Sequence, residues 1–196
     1  MASPLKAALE DLLRARRLVK DGLPLRGEDR RLDLLPTGID SVDGLLGGGF
    51  PRGQLSEVHG PLSSGRTGLV VSLLARATGT GVLAAWVDAG DGFDPTSAVE
   101  SGVDLSRLLW LRGTSKLRGL PGALSALGTL LGSGLFELLV LDLAGLPAAE
   151  IRRLPAATWI RLQRALEGSP AVLVMLSDSH TATSPGGVSL ALTLAP

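Results

Sequence analysis

From residue 53 onward, short apolar runs alternate with stretches of helical spacing. Residues 54–60 (QLSEVHG) predict a strand, and Thr67–Ala77 a helix behind it. Residues 81–89 (GVLAAWVDA) predict the next strand, and Asp94–Ser101 a helix. The alternation continues with a strand in 107–113, a helix over Pro121–Leu131 and a strand in 136–143 (FELLVLDL). It closes with a helix over Pro155–Leu166, a strand in 171–178 (AVLVMLSD) and a last strand in 188–194. Strands that are apolar on both faces need cover on both faces, and intervening helices supply it. The pattern therefore predicts an α/β sandwich of three layers, helices on either side of a mostly parallel central sheet. Ligands of such sheets bind at the carboxyl ends of the strands.

Upstream, Leu5, Ala8, Leu9, Leu12, Arg16 and Val19 recur at three- and four-residue spacing. They predict an amphipathic helix over Ser3–Lys20, capped by Ser3 and ended by Gly22 and Pro24. The chain is thus read as an N-terminal helix and linker (1–24) followed by a core domain (25–196). The leucines and valine of this helix, Leu5, Leu9, Leu12 and Val19, are the candidate partner-binding face; the alternative is that they cover their own domain.

Composition narrows the chemistry. The 196 residues hold 45% hydrophobic and 19% charged residues, which suits a folded soluble chain. Lys+Arg and Asp+Glu both number 19, so a general basic excess for nucleic acid is lacking. Weak, salt-dependent single-strand binding would fall to Arg14, Arg16, Arg17, Arg30 and Arg31. Cysteine is absent, which excludes disulfides and thiolate chemistry. The two histidines, His59 and His180, lie far apart in sequence, and no metal site is expected from them. Neither a signal peptide nor a membrane-length apolar run occurs, and a cytoplasmic location is expected.

The chemically suggestive stretch is GPLSSGRTG (Gly60–Gly68). It sits between a predicted strand and a predicted helix, the context in which G-x-x-x-x-G-K-[ST] cradles phosphate. Gly60 and Gly65 permit the tight backbone path. Amides near Ser64 to Thr67 face an anion, and Thr67 offers a hydroxyl to Mg²⁺. Arg66 occupies the lysine position; it keeps the charge but replaces a compact ammonium by a wide planar fork. Asp142, after four apolar residues of a buried strand, is the candidate Mg²⁺-holding carboxylate.

Leu35–Gly68 (LPTGIDSVDGLLGGGFPRGQLSEVHGPLSSGRTG) resembles the entry to the RecA recombinase core. The motifs WVDAGDGFDP (Trp86–Pro95), GVDLSRLLW (Gly102–Trp110) and LLVLDL continue the resemblance in order, over roughly residues 25–194. It implies the RecA-like (P-loop NTPase type) fold. The departures bear on activity. Relative to the family, Arg66 replaces the loop lysine and Gly68 a second threonine. Gly90 replaces the glutamate that polarises water, with Asp91 one place displaced. Ser97 falls near the adenine-stacking tyrosine, and Asp178 aligns with the nucleotide-sensing glutamine. Loss of general-base help alone forfeits about 10²–10⁴-fold in rate. The loops 143–154 (LAGLPAAEIRRL) and 179–187 (SHTATSPGG) are short beside the family's DNA-contacting loops. Their only candidate cations are Arg152, Arg153 and His180.

Decay of the loop together with small size resembles the ImuA group of RecA-related, SulA-related proteins. That resemblance implies a non-catalytic role in damage-induced mutagenesis and translesion synthesis. It implies RecA and the polymerase-like ImuB as partners, with self-association possible in the manner of RecA cores. No cofactor is expected, and ATP with Mg²⁺ only if the altered loop still functions. The degenerate nucleotide site would comprise Gly60, Ser64, Gly65, Arg66, Thr67 and Asp142. Two alternatives stand beside this reading: an active ATPase using Arg66 and Asp91, and a SulA-type cell-division inhibitor.

Overall fold

A computed structural model describes residues 33–113, 119–182 and 186–194. The chain divides into two units, 1–33 and 34–196, and the second holds all the helices and strands named below. The predicted helix Ser3–Lys20, its face Leu5, Leu9, Leu12 and Val19, and the arginines at 14, 16, 17, 30 and 31 lie outside the described residues.

The core unit opens with a small antiparallel ribbon, β1 (Leu34–Leu35) against β2 (Phe50–Pro51), with the helix α1 (Asp40–Leu46) between them. Sequence periodicity missed all three, because each is too short to show a period. What fixes this corner is Asp43. Its Oδ1 accepts from the Thr37 amide at 2.7 Å and from Thr37 Oγ1 at 2.7 Å, which ties the buried Thr37 to the helix.

The main sheet follows. Its strands are β3 (Gln54–His59), β4 (Ala84–Asp88), β5 (Leu108–Arg112), β6 (Leu138–Asp142), β7 (Val172–Ser177) and β8 (Ser189–Ala191). Their order is β5-β4-β6-β7-β3-β8, and every pairing is parallel. The helices are α2 (Arg66–Gly79), α3 (Pro95–Glu100), α4 (Gly119–Ser133), α5 (Ala148–Arg152) and α6 (Ala156–Leu166). Strands and long helices fall where the apolar pattern put them, with two corrections. The segment 143–154, expected to be loop, contains α5; five residues are too few for a helical stripe to register. The last strand is three residues long rather than seven, because only 189–191 reach β3.

Alternation along each strand divides the core in two. Val58, Trp86, Leu138, Val140, Val172, Val174 and Leu176 meet Leu69, Val70, Leu73, Leu74 and Ala77 of α2 on one face. On the other, α4 packs on β4 and β6, and α6 packs on β3. Each fully buried leucine contributes about 1.5–3 kcal/mol. The layers thus hold one edge of the sheet, the carboxyl ends of β3, β4, β6 and β7, in fixed register.

Candidate functional site: the strand ends and the glycine loop

At that edge β3 runs out at His59, and the loop Gly60–Gly65 leads into α2, whose first residue is Arg66. Gly65 precedes the helix in the left-handed region, at φ 87°, where glycine carries no Cβ penalty. Ser63 adopts φ 65°, a conformation that a non-glycine residue enters only under constraint. Gly60 is required by close approach: a Cβ there would collide with the Leu192 carbonyl and lie 2.6 Å from Ser64 Oγ. The loop lies between β3 and α2, as the sequence pattern placed it. Thr67 is exposed at its mouth, while Ser64 Oγ is buried without a hydrogen-bond partner.

Arg66 turns inward and is 6% exposed. One guanidinium nitrogen donates to the Gly60 carbonyl in a short contact. Another lies 2.5 Å from Asp178 Oδ1, just beyond β7. β7 is the neighbour of β3, with His59 opposite Ser177, so the sheet itself brings Asp178 to the loop. Asp178 Oδ1 also accepts from the Gly145 amide at 3.4 Å. Arg66 and Asp178, the two positions where the resemblance implies a lysine and a glutamine, are therefore the two halves of one ion pair across the loop.

Asp142 ends β6, two strands from β3, and faces Asp88 of β4 in register. Burial pushes its carboxyl up to about 7; the Ala144 amide, donating at 2.9 Å, opposes the rise, and the Asp88 charge adds to it. Asp88 is 1% exposed and serves its own turn. It accepts from the amides of Gly92 (2.9 Å) and Phe93 (3.0 Å) and from Trp110 Nε1 (3.1 Å).

The remaining positions of the family site point elsewhere. At Gly90, a Cβ would stand 2.7 Å from the Ala144 carbonyl, so a glutamate cannot be restored there without moving backbone. Asp91 is held by Arg112 of β5, at 2.7 and 2.9 Å, and this bond lowers its pKa. Its carboxylate is thus committed to the edge strand on the far side of β4. Ser97 is exposed and donates to Asp94 Oδ2 at 2.5 Å, a cap contact on α3. Arg152 and Arg153 are exposed at the end of α5. Sequence reasoning missed one grouping. His59 and His180, from which no metal site was expected, come together beside the buried Glu57. The strand order was the signal that could have found them, since His59 ends β3 and His180 follows its neighbour β7.

A strand, a glycine loop and a helix in this order, with a carboxylate ending a buried strand two places away, define a P-loop type of α/β protein. Residues 6–170 match the RecA N-terminal domain family. Protein RecA of Acidothermus cellulolyticus is 35% identical over 170 residues, 84% of this chain and 48% of the relative. Protein RecA of Chlorobaculum parvum is 42% identical over 120 residues, 60% of this chain and 33% of the relative. Among solved structures, the crystal structure of the RadB recombinase superposes with a TM-score of 0.57 at 25% identity, covering 73% of this chain and 69% of that one. The chain belongs to the RecA N-terminal domain family and spans about half, or less, of the length of these curated relatives. The match begins at residue 6, so the family pattern reaches further upstream than the 25–194 expected from the motifs, and it stops before β7. Among the described residues, no helix is long and apolar enough to cross a membrane.

Proposed function

We propose that this chain is a non-catalytic, cytoplasmic RecA-family accessory protein of damage-induced mutagenesis. It acts through contacts with RecA and an ImuB-type polymerase-like partner, and its phosphate loop is vestigial. The observation that carries the reading is the inward Arg66, bonded to the loop's own Gly60 carbonyl and to Asp178. A triphosphate needs the loop cation turned toward it. Here a nucleotide must first break an ion pair around a buried guanidinium, and breaking such a pair one-sidedly costs about 3–5 kcal/mol in a fully buried setting. Asp178 is half exposed, so the barrier is smaller, yet it opposes binding at every step. Gly90 supplies no general base, and Asp91 is taken by Arg112. The loop cation is thus engaged by the protein's own oxygens, which suits a magnesium nucleotide poorly.

Titration of a fluorescent ATP analogue with Mg²⁺ tests the loop. The wild type is expected to show no saturable micromolar binding and no turnover; saturable micromolar binding or turnover by the wild type overturns the proposal. Arg66→Lys combined with Asp178→Gln removes the ion pair from both sides and should raise nucleotide affinity above that of the wild type. The partner assignment rests on the resemblance to the ImuA group. Pull-down of RecA and ImuB with the full chain, beside a folded Leu9→Glu/Leu12→Glu variant, tests it. Capture of neither partner by the wild type ends that part of the reading.

A further inference from the structure

We infer that Glu57, His59 and His180 form a binding site for a divalent transition-metal ion of the zinc type. The chain owns two histidines and no cysteine. Both of its imidazoles are gathered at one point, on two strand ends distant in sequence. One ligand atom from each of the three residues lies within 4.8 Å of the others. Glu57 and His59 stand two apart on β3 and so project from the same face of the sheet. His180 comes from the segment after β7. Its ring centroid is 5.4 Å from that of His59, and its Nδ1 is 2.7 Å from Glu57 Oε2.

Glu57 is the decisive residue. It is fully buried. Its Oε1 is held in place by the Thr181 amide at 2.7 Å, Ser177 Oγ at 3.3 Å and the Ala182 amide at 3.4 Å. That leaves Oε2 turned to the imidazoles, buried and without a hydrogen bond. His180 Nδ1 forms an ion pair with this oxygen only when the imidazole is protonated. A buried carboxylate oxygen in that state is costly, and an ion between oxygen and nitrogen relieves it through lone pairs on both sides. Outer hydrogen bonds that orient a ligating carboxylate are a regular part of such sites.

The donor set selects the ion. Two imidazoles with one carboxylate suit Zn²⁺ and its neighbours, and three protein ligands leave one position for water. Mg²⁺ prefers oxygen and holds its own waters. Ligands at about 2.0–2.1 Å around a tetrahedral ion stand about 3.3 Å apart, so the Glu57–His180 pair must open by roughly half an ångström. The His180 side chain is 57% exposed and has room to do so. An ion here fastens the segment after β7 onto β3 next to the glycine loop. Leu192, whose amide donates to the His59 carbonyl at 2.8 Å, already packs over Gly60.

The test uses the full chain, freed of any histidine tag, at neutral pH, with Zn²⁺ alone as the probe. Calorimetric titration should give one ion per chain with micromolar or tighter affinity, unaffected by excess Mg²⁺. His180→Ala, at an exposed position, and Glu57→Gln should each weaken binding by roughly tenfold or more. Nitrogen-detected NMR of the two imidazoles should show both rings shifting together as Zn²⁺ is added, a readout that does not depend on any variant folding. Absence of saturable binding overturns the site, leaving an ion pair only. So does binding that is unchanged in His180→Ala, or that leaves either imidazole unmoved.

Discussion

The carboxyl edge of the sheet ends differently on its two sides. At β3 and β7 the carboxylate Asp178 meets a cation, Arg66, and the pair closes on the loop between them. At β4 and β6 two carboxylates, Asp88 and Asp142, face each other in register. Asp88 is satisfied by three donors, whereas Asp142 has one amide and is pushed up to about 7 by burial. The two sides thus satisfy their charges differently. On the loop side the guanidinium is paired, although its Nε and Ser64 Oγ are buried without hydrogen-bond partners. The other side keeps an acid whose charged form the fold does not support unaided.

Four variants sharpen or break this contrast. Asp88→Ala should have one of the largest effects, because it removes the buried acceptor that three donors share, Phe93 N–H among them fully buried; a loss of about 4 kcal/mol is expected by urea unfolding. A loss below that of an ordinary surface change would mean that Asp88 is not what holds residues 88–93.

Asp142→Asn works in the opposite direction. Its unfolded carboxyl ionises near 4, and its folded carboxyl at about 7. Between those values the folded state keeps a proton that the unfolded state has released, so stability declines as pH rises through that window. The asparagine keeps an acceptor for the Ala144 amide and removes the titration. It should therefore gain about 4 kcal/mol over the wild type at pH 8 and next to nothing at pH 4. Equal gains at both pH values would show that the carboxyl does not titrate in that window.

Asp178→Ala leaves Arg66 with the Gly60 carbonyl alone. Because Asp178 is half exposed, the cost should be about 1–2 kcal/mol, well below that for a fully buried pair. The Tm of the variant checks it, and an unchanged Tm would remove the ion pair as a structural element. Asp91→Asn should do least. Its bond to Arg112 is solvent-exposed, and Tm should stay within error of the wild type. If the wild type proves to hydrolyse ATP and Asp91→Asn abolishes that, Asp91 serves the loop side after all and the contrast between the two sides fails.

The loop and the buried strands were legible because their signals are local. GPLSSGRT needs only its own glycines and the strand and helix beside it to declare a phosphate loop. LLVLDL declares a buried strand by being apolar on both faces. Short elements were not legible: α1, α5 and the β1–β2 ribbon hold too few residues to express a period, and Asp43 organises its corner through hydrogen bonds rather than hydrophobicity. Gly90 carried half its meaning in the sequence. A glycine where the resemblance implies a glutamate was visible there, but not the Ala144 carbonyl that crowds a Cβ at that position.

The sequence by itself determined the layered α/β architecture and the place of the loop, since each follows from periodicity or from residues adjacent in the chain, whereas the altered positions came only from the resemblance to the RecA family. Only the tertiary structure decided that Arg66 pairs with Asp178 and that Glu57, His59 and His180 meet. The reason is topological: strand order is set by how helices pack across the sheet, and it places β7 beside β3 after more than a hundred intervening residues. Contacts between such strand ends leave no period in the sequence, so they come into being only once the sheet is assembled.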